Sequence, residues 1–247
     1  MTRSIRTWFA VAAVAALPLA AQAQAAPQGK GLGDFSVVGS EINTGKPVET
    51  FEAGWPSVDF GYVFNLSKTS DMGVKLGLLY GVEGSTYTTF GLALYAPIRF
   101  ELARVGEGKV LFHVDPGLAI YFGSSACSGL TGIALEFCNA ANAAVNNSLG
   151  TGTQFAFTFP VGVVMGFPVM PGLEVGGGLD LNLALVVTSP FNFLIGPWIG
   201  PYVEYHFANP NVAIGLNTRF GVAINTASSY SNPFAFKIQA FAAYRLF

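Results

Sequence analysis

GVKLGLLYGVEG, residues 73–84, separates into two sets of alternate positions. Val74, Leu76, Leu78, Tyr80 and Val82 make up one set; Lys75, Gly77, Leu79, Gly81 and Glu83 make up the other. Successive side chains of a β-strand point to opposite faces, so as a strand this stretch has one apolar face and one small or charged face. A soluble barrel with a greasy interior and a membrane barrel with a greasy exterior both use that alternation. The rest of the chain has to decide between them.

The pattern recurs along the chain. Phe60, Tyr62, Phe64 and Leu66 alternate with Asp59, Gly61, Val63 and Asn65. Phe90 to Phe100 alternates with Gly91 to Glu101, Val110 to Ile120 with His113 to Tyr121, and Phe155 to Met165 with Gln154 to Val164. Leu179 to Leu185, Ile199 to Phe207, Ile214 to Ile224 and Phe234 to Ile238 repeat it. This gives about nine segments of roughly ten residues, the length a tilted strand needs to cross a bilayer. Short turns rich in Gly, Pro, Asn and Ser begin at Ser67, Arg104, Pro168 and Ala208, and mostly longer connections alternate with them, at Glu83, Gly123, Thr188 and Thr226. A membrane barrel has short turns on one side and longer loops on the other. Parity then calls for one more strand ahead of Trp55, and residues 33–42, GDFSVVGSEI, are the candidate. The expected fold is all-β, a transmembrane antiparallel up-and-down β-barrel of about ten strands, within a range of eight to twelve.

Composition selects the lipid-facing version. Of 247 residues 51% are hydrophobic and only 11% charged, against roughly a quarter charged in ordinary soluble domains. No internal stretch supplies the roughly 18 unbroken apolar residues of a membrane helix. If the apolar faces pointed inward, the outer surface would be mostly Gly, Ala, Asn and Thr, too poor in charge for water. With the apolar faces in lipid, Lys75, Arg99, Glu101, His113, Asp115, Asp180, Glu204, His206 and Arg219 are all enclosed. There they form a lumen charge network, lining a pore if one is open. The formal net charge of −2 and the lack of a basic patch argue against nucleic acid as a partner.

At the N-terminus, Arg3 and Arg6 precede an apolar run from Trp8 to Leu19 and then small residues in an A-x-A arrangement. This is the layout of a secretory signal peptide. Residues 1–25 are expected to be cleaved, between Ala23 and Pro27, leaving 26–247 as a single exported barrel domain. Cys127 and Cys138 are the only cysteines. In an oxidising compartment they are expected to form a disulfide, since without nearby histidines they would leave zinc short of ligands.

On the signal peptide, the repeated alternation, the loop asymmetry and the terminal AYRLF ending in Phe247, the chain resembles the outer-membrane β-barrel proteins of Gram-negative bacteria. The resemblance covers essentially all of residues 26–247. It implies location in the outer membrane, contact with outer-membrane lipid, and a C-terminal aromatic, Phe247, read by the barrel-assembly machinery. Arg245 and Tyr244 depart from that family's terminal pattern. Some barrels of this kind are enzymes. Here only His113 and His206 are available, each two residues from a carboxylate on an inner face, and neither matches the rim acids and histidines of omptin-like proteases or the lipid-facing serine and histidine of lipid A deacylases. No catalytic residues, cofactor or metal are expected. The function classes that remain are a structural or surface-interaction barrel with a largely filled lumen and an unidentified extracellular ligand, a narrow porin-like channel for small solutes, and a membrane-embedded enzyme acting on lipid or peptide.

Overall fold

A computed structural model describes residues 35–81, 88–122, 153–187, 192–207, 211–225 and 231–246. Among the described residues every regular element is a strand: β1 (Val48–Trp55), β2 (Ser57–Ser67), β3 (Ser70–Gly81), β4 (Thr88–Tyr95), β5 (Ile98–Val105), β6 (Gly108–Val114), β7 (Gly117–Phe122), β8 (Gln154–Thr158), β9 (Val161–Met170), β10 (Leu173–Val187), β11 (Asn192–His206), β12 (Val212–Asn225) and β13 (Ser231–Arg245). All pair antiparallel with their neighbours, and β1 pairs β13 from Val48↔Arg245 to Trp55↔Ile238, so the sheet closes on itself.

Three of the expected long strands are each interrupted once, at Ala96–Pro97, Asp115–Pro116 and Phe159–Pro160. Proline cannot donate to the ladder, but the ladder continues past each break through the prolyl carbonyls. Gly73 N donates to Pro97 O (2.8 Å), Ala96 N to Pro116 O (2.8 Å) and Asp115 N to Pro160 O (2.9 Å). β4 with β5, β6 with β7 and β8 with β9 are therefore single wall strands, and the barrel has ten. Each break spans two residues, so the period of two stays in phase across it.

Tight connections cluster at one end: Ser67 to Ser70, Val105 to Gly108, Met170 to Leu173 and His206 to Val212. Gly106 (φ 62°) and Gly172 (φ 79°) supply the left-handed backbone that two of these turns need. The other end carries the connections through 82–87, 123–152, 188–191 and 226–230, and also a one-residue link at Pro56 that the sequence pattern did not reveal. Cys127, Cys138 and Phe247 lie outside the described residues.

The first strand is not the expected one. Within the expected 33–42, the described residues 35–42 add no strand to the wall; β1 is Val48–Trp55, and residues 35–43 enter the lumen at the turn end. Phe35, Val38 and Ile42 have no alternation to offer a two-faced wall, whereas VETFEAGW buries Val48, Thr50 and Glu52 and exposes Glu49 and Phe51. Phe35 packs into a buried cluster with Val48, Ala213 and Ala243. The loop-end half of the lumen is filled by Leu79, Ala93, Ala119, Tyr121, Ala156 and Val186. On the outside, Phe60, Leu94, Phe157, Leu179 and Ile199 are all more than half exposed.

Candidate functional site in the lumen

Between those two apolar fillings lies the charged interior. At the turn end it grips the inserted segment by its main chain. Glu204 on β11 accepts from three successive backbone N–H groups, Val37 (3.1 Å), Val38 (3.3 Å) and Gly39 (3.1 Å). This is a nest of amides around an anion. His206 Nε2 lies 3.0 Å from the same carboxylate. Glu174 on β10 accepts from Ser40 N (2.8 Å), Ser40 Oγ (2.9 Å) and the Tyr202 hydroxyl. From the opposite wall Arg99 donates to Ser36 O (2.9 Å) while its guanidinium pairs with Asp71 (Nε 2.9 Å, Nη2 2.5 Å), and Asp71 also accepts from Asn43 N (2.8 Å). Lys109 pairs with Glu41, the Phe35 and His206 rings lie 4.7 Å apart, and the Arg245 guanidinium sits 4.8 Å over Phe35. Charged wall groups thus take both the donors and the acceptors of a segment that has no sheet partner.

Deeper in, a chain of ions held by β6, β10 and β12 spans five wall strands. His113 Nδ1 is 3.1 Å from Asp115 Oδ2 and its Nε2 is 2.9 Å from Asp180 Oδ1. Both N–H groups of an imidazolium satisfy that arrangement. Asp180 Oδ2 accepts from Arg219 Nε (2.6 Å), and Arg219 Nη1 donates to Asn217 Oδ1 (2.6 Å). β6 and β10 are not neighbours; β9 runs between them, with Gly162 in register with both His113 and Asp180. A Cβ there would stand 2.2 Å from Asp180 Oδ1 and 2.5 Å from His113 Nε2, so only glycine lets the two side chains meet over the intervening strand. Gly162→Val is expected to lower stability by about 1–3 kcal/mol through overpacking, read as a lowered denaturant midpoint of the refolded barrel.

The remaining residues fall outside this chain. Lys75 pairs with Glu52 at 2.7 Å. Glu101 pairs with Arg104 (2.6 Å) at the turn end, where Arg104 is two-thirds exposed, and joins neither group. A cavity of about 150 Å³ occupies the mid-lumen, lined by Glu52, Lys75, Asp115, Asp180 and Lys237 among others. Among the described residues no three His, Asp or Glu side chains converge as metal ligands would.

The network expected from the sequence leaves out Glu52, Asp71, Lys109 and Glu174, and also Asp59, Tyr202 and Lys237, which the alternation already sets on the inner face. For Asp71 and Glu174 the signal was available: counting back in twos from Lys75 and from Asp180 reaches them. Both were hidden because the strands extend further into the turns than their apolar runs do. Glu52 was out of reach once β1 had been misplaced.

No protein-family model matches the chain, and a search of curated proteins finds no similar sequence.

Proposed function

We propose that this protein is an integral outer-membrane β-barrel of a Gram-negative bacterium, closed by its own N-terminal segment and serving a structural or surface-interaction role. Residues 1–25 act as its export signal. Outer-membrane lipid and the barrel-assembly machinery are its partners, and the end carrying the longer connections presents its binding surface. One contrast carries the reading: Ile199 is 65% exposed and Leu179 60%, while Glu204, Glu174 and Arg219 are at most 3% exposed. In water that arrangement leaves large apolar side chains hydrated and encloses ions at high cost. Against hydrocarbon it is the favourable one.

Leu179 and Ile199 pair across β10 and β11, and lysine at either position tests the surroundings. In a bilayer Leu179→Lys or Ile199→Lys is expected to cost about 2–4 kcal/mol; on a wet surface the change would stay within about 0.5 kcal/mol. Denaturant unfolding from lipid vesicles measures it, and a near-zero cost in both variants excludes the membrane assignment. In planar bilayers the plugged, side-chain-filled lumen is expected to pass no steady current. A steady conductance would instead favour a narrow porin-like channel through the mid-lumen cavity.

A further inference from the structure

The mid-lumen cavity of about 150 Å³ has room for on the order of ten waters, or for one small organic solute. Its floor is the inserted segment, through Val37, Val38 and Gly39. At the other end Pro56 and Ser57 line it, so it reaches the one-residue link between β1 and β2. The apolar filling of the loop-end half comes from β3, β4, β7, β8 and β10, and the cavity passes it on the side of β13, β1 and β2.

The lining carries five carboxylates against four Lys and Arg side chains and the His113 imidazolium, so as a whole it favours neither a net anion nor a net cation. Most of these charges are already taken. Lys75 holds Glu52 at 2.7 Å, Arg99 holds Asp71 and Arg219 holds Asp180 at 2.6 Å. Asp59, 2% exposed, accepts from Ser57 Oγ and Gln239 Nε2, both at 2.7 Å. Two groups differ. Asp115 gives Oδ2 to His113 (3.1 Å), but among the described residues its Oδ1 accepts from nothing, and the side chain stays 31% exposed where it lines the cavity. Among the same residues no carboxylate lies within ion-pair distance of Lys237.

Passing from β13 through β1, β2, β3 and the β4–β5 strand to the β6–β7 strand takes five steps round the ten-strand ring. Lys237 and Asp115 therefore face each other from opposite walls. Asp115 feels the charge of Lys237, yet the two stay apart, and the cavity between them has a positive end and a negative end.

We infer that the mid-lumen cavity is a binding site for a small zwitterion, a solute carrying one carboxylate and one ammonium. The carboxylate meets Lys237, the ammonium meets Asp115 Oδ1, and entry is over the Pro56 link at the loop end. This rests on the surface-interaction reading above.

Equilibrium dialysis of the refolded full chain in neutral detergent, against radiolabelled glycine, β-alanine and γ-aminobutyrate, tests the site. Saturable binding of at least one of them is expected. The matching carboxylic acid and the matching amine, each keeping one of the two charges, are expected not to displace it. Asp115→Asn and Lys237→Gln are each expected to weaken binding by about ten-fold or more, the equivalent of one charged hydrogen bond. The site is overturned if none of the three amino acids binds saturably, if the acid or the amine alone displaces as well as the amino acid, or if both substitutions leave binding unchanged. The competitor arms use the unaltered chain, so they decide even where a variant fails to refold. Should Leu179→Lys and Ile199→Lys cost nothing in vesicles, the membrane reading itself fails; should they carry their expected cost while no amino acid binds, only the zwitterion site fails.

Discussion

Arg219→Met is expected to destabilise the barrel by roughly 3–5 kcal/mol, the usual result of removing one partner of a buried ion pair. Arg219 is 3% exposed. It neutralises Asp180 at 2.6 Å, and it serves two main-chain carbonyls, Gly200 O (3.1 Å) and Thr218 O (2.8 Å). Its loss leaves His113, at 2.9 Å, as the counter-charge within hydrogen-bond reach of Asp180 among the described residues, and takes the guanidinium donor away from the Gly200 and Thr218 carbonyls. Equilibrium unfolding from lipid vesicles measures the cost. Removing both charges, Arg219→Met with Asp180→Leu, is expected to be less damaging than Arg219→Met alone, because the uncompensated carboxylate goes too. A double variant no better than the single one would mean that Arg219 acts through its carbonyl contacts and not through the ion chain.

Glu204→Leu is expected to free residues 35–43 and leave the wall standing. The substitution removes the acceptor shared by the Val37, Val38 and Gly39 amides. A buried amide left without a partner, as at Gly39, costs about 1–3 kcal/mol and the half-buried Val37 and Val38 amides add less, so on the order of 3 kcal/mol works against the inserted state. That corresponds to a shift of about a hundred-fold in its population. Limited proteolysis reads the result: cleavage within 35–43 accelerates, while the body from β1 to β13 stays resistant. Unchanged cleavage would show that the apolar seat of Phe35 among Val48, Ala213 and Ala243 is sufficient to hold the segment.

The wall was legible in the sequence because a period of two survives everything that interrupts it. Leu94 and Ile98 keep the same parity across Pro97, so three broken strands read as continuous; that gives about nine, and the strand that parity adds brings the number to about ten. β1 was not legible for the opposite reason. With Glu49 outside and Thr50 and Glu52 inside, its two faces do not differ in hydrophobicity, and pairing with β13 at barrel closure defines it instead. The lumen was legible as a face but not as contacts. Parity assigns His113 and Asp180 to the same side of the sheet, but nothing in their spacing indicates that Gly162 lets them touch across a strand. Likewise nothing local to Glu204 points to residues 37–39, which lie more than 160 positions earlier.

That separation has a consequence for the order of events. The inserted segment leaves the ribosome ahead of every strand, yet its seat is built from β3, β5, β10 and β11, and Phe35 lies against Ala243 and Arg245 at the far end of the chain. It is translated ahead of its seat and cannot dock fully before β11 to β13 exist. Contacts this remote form slowly, because a large loop must close before any of them is rewarded. Until then Glu174 and Glu204 stay hydrated, and the mouth of the barrel stays wet while its circumference is being completed.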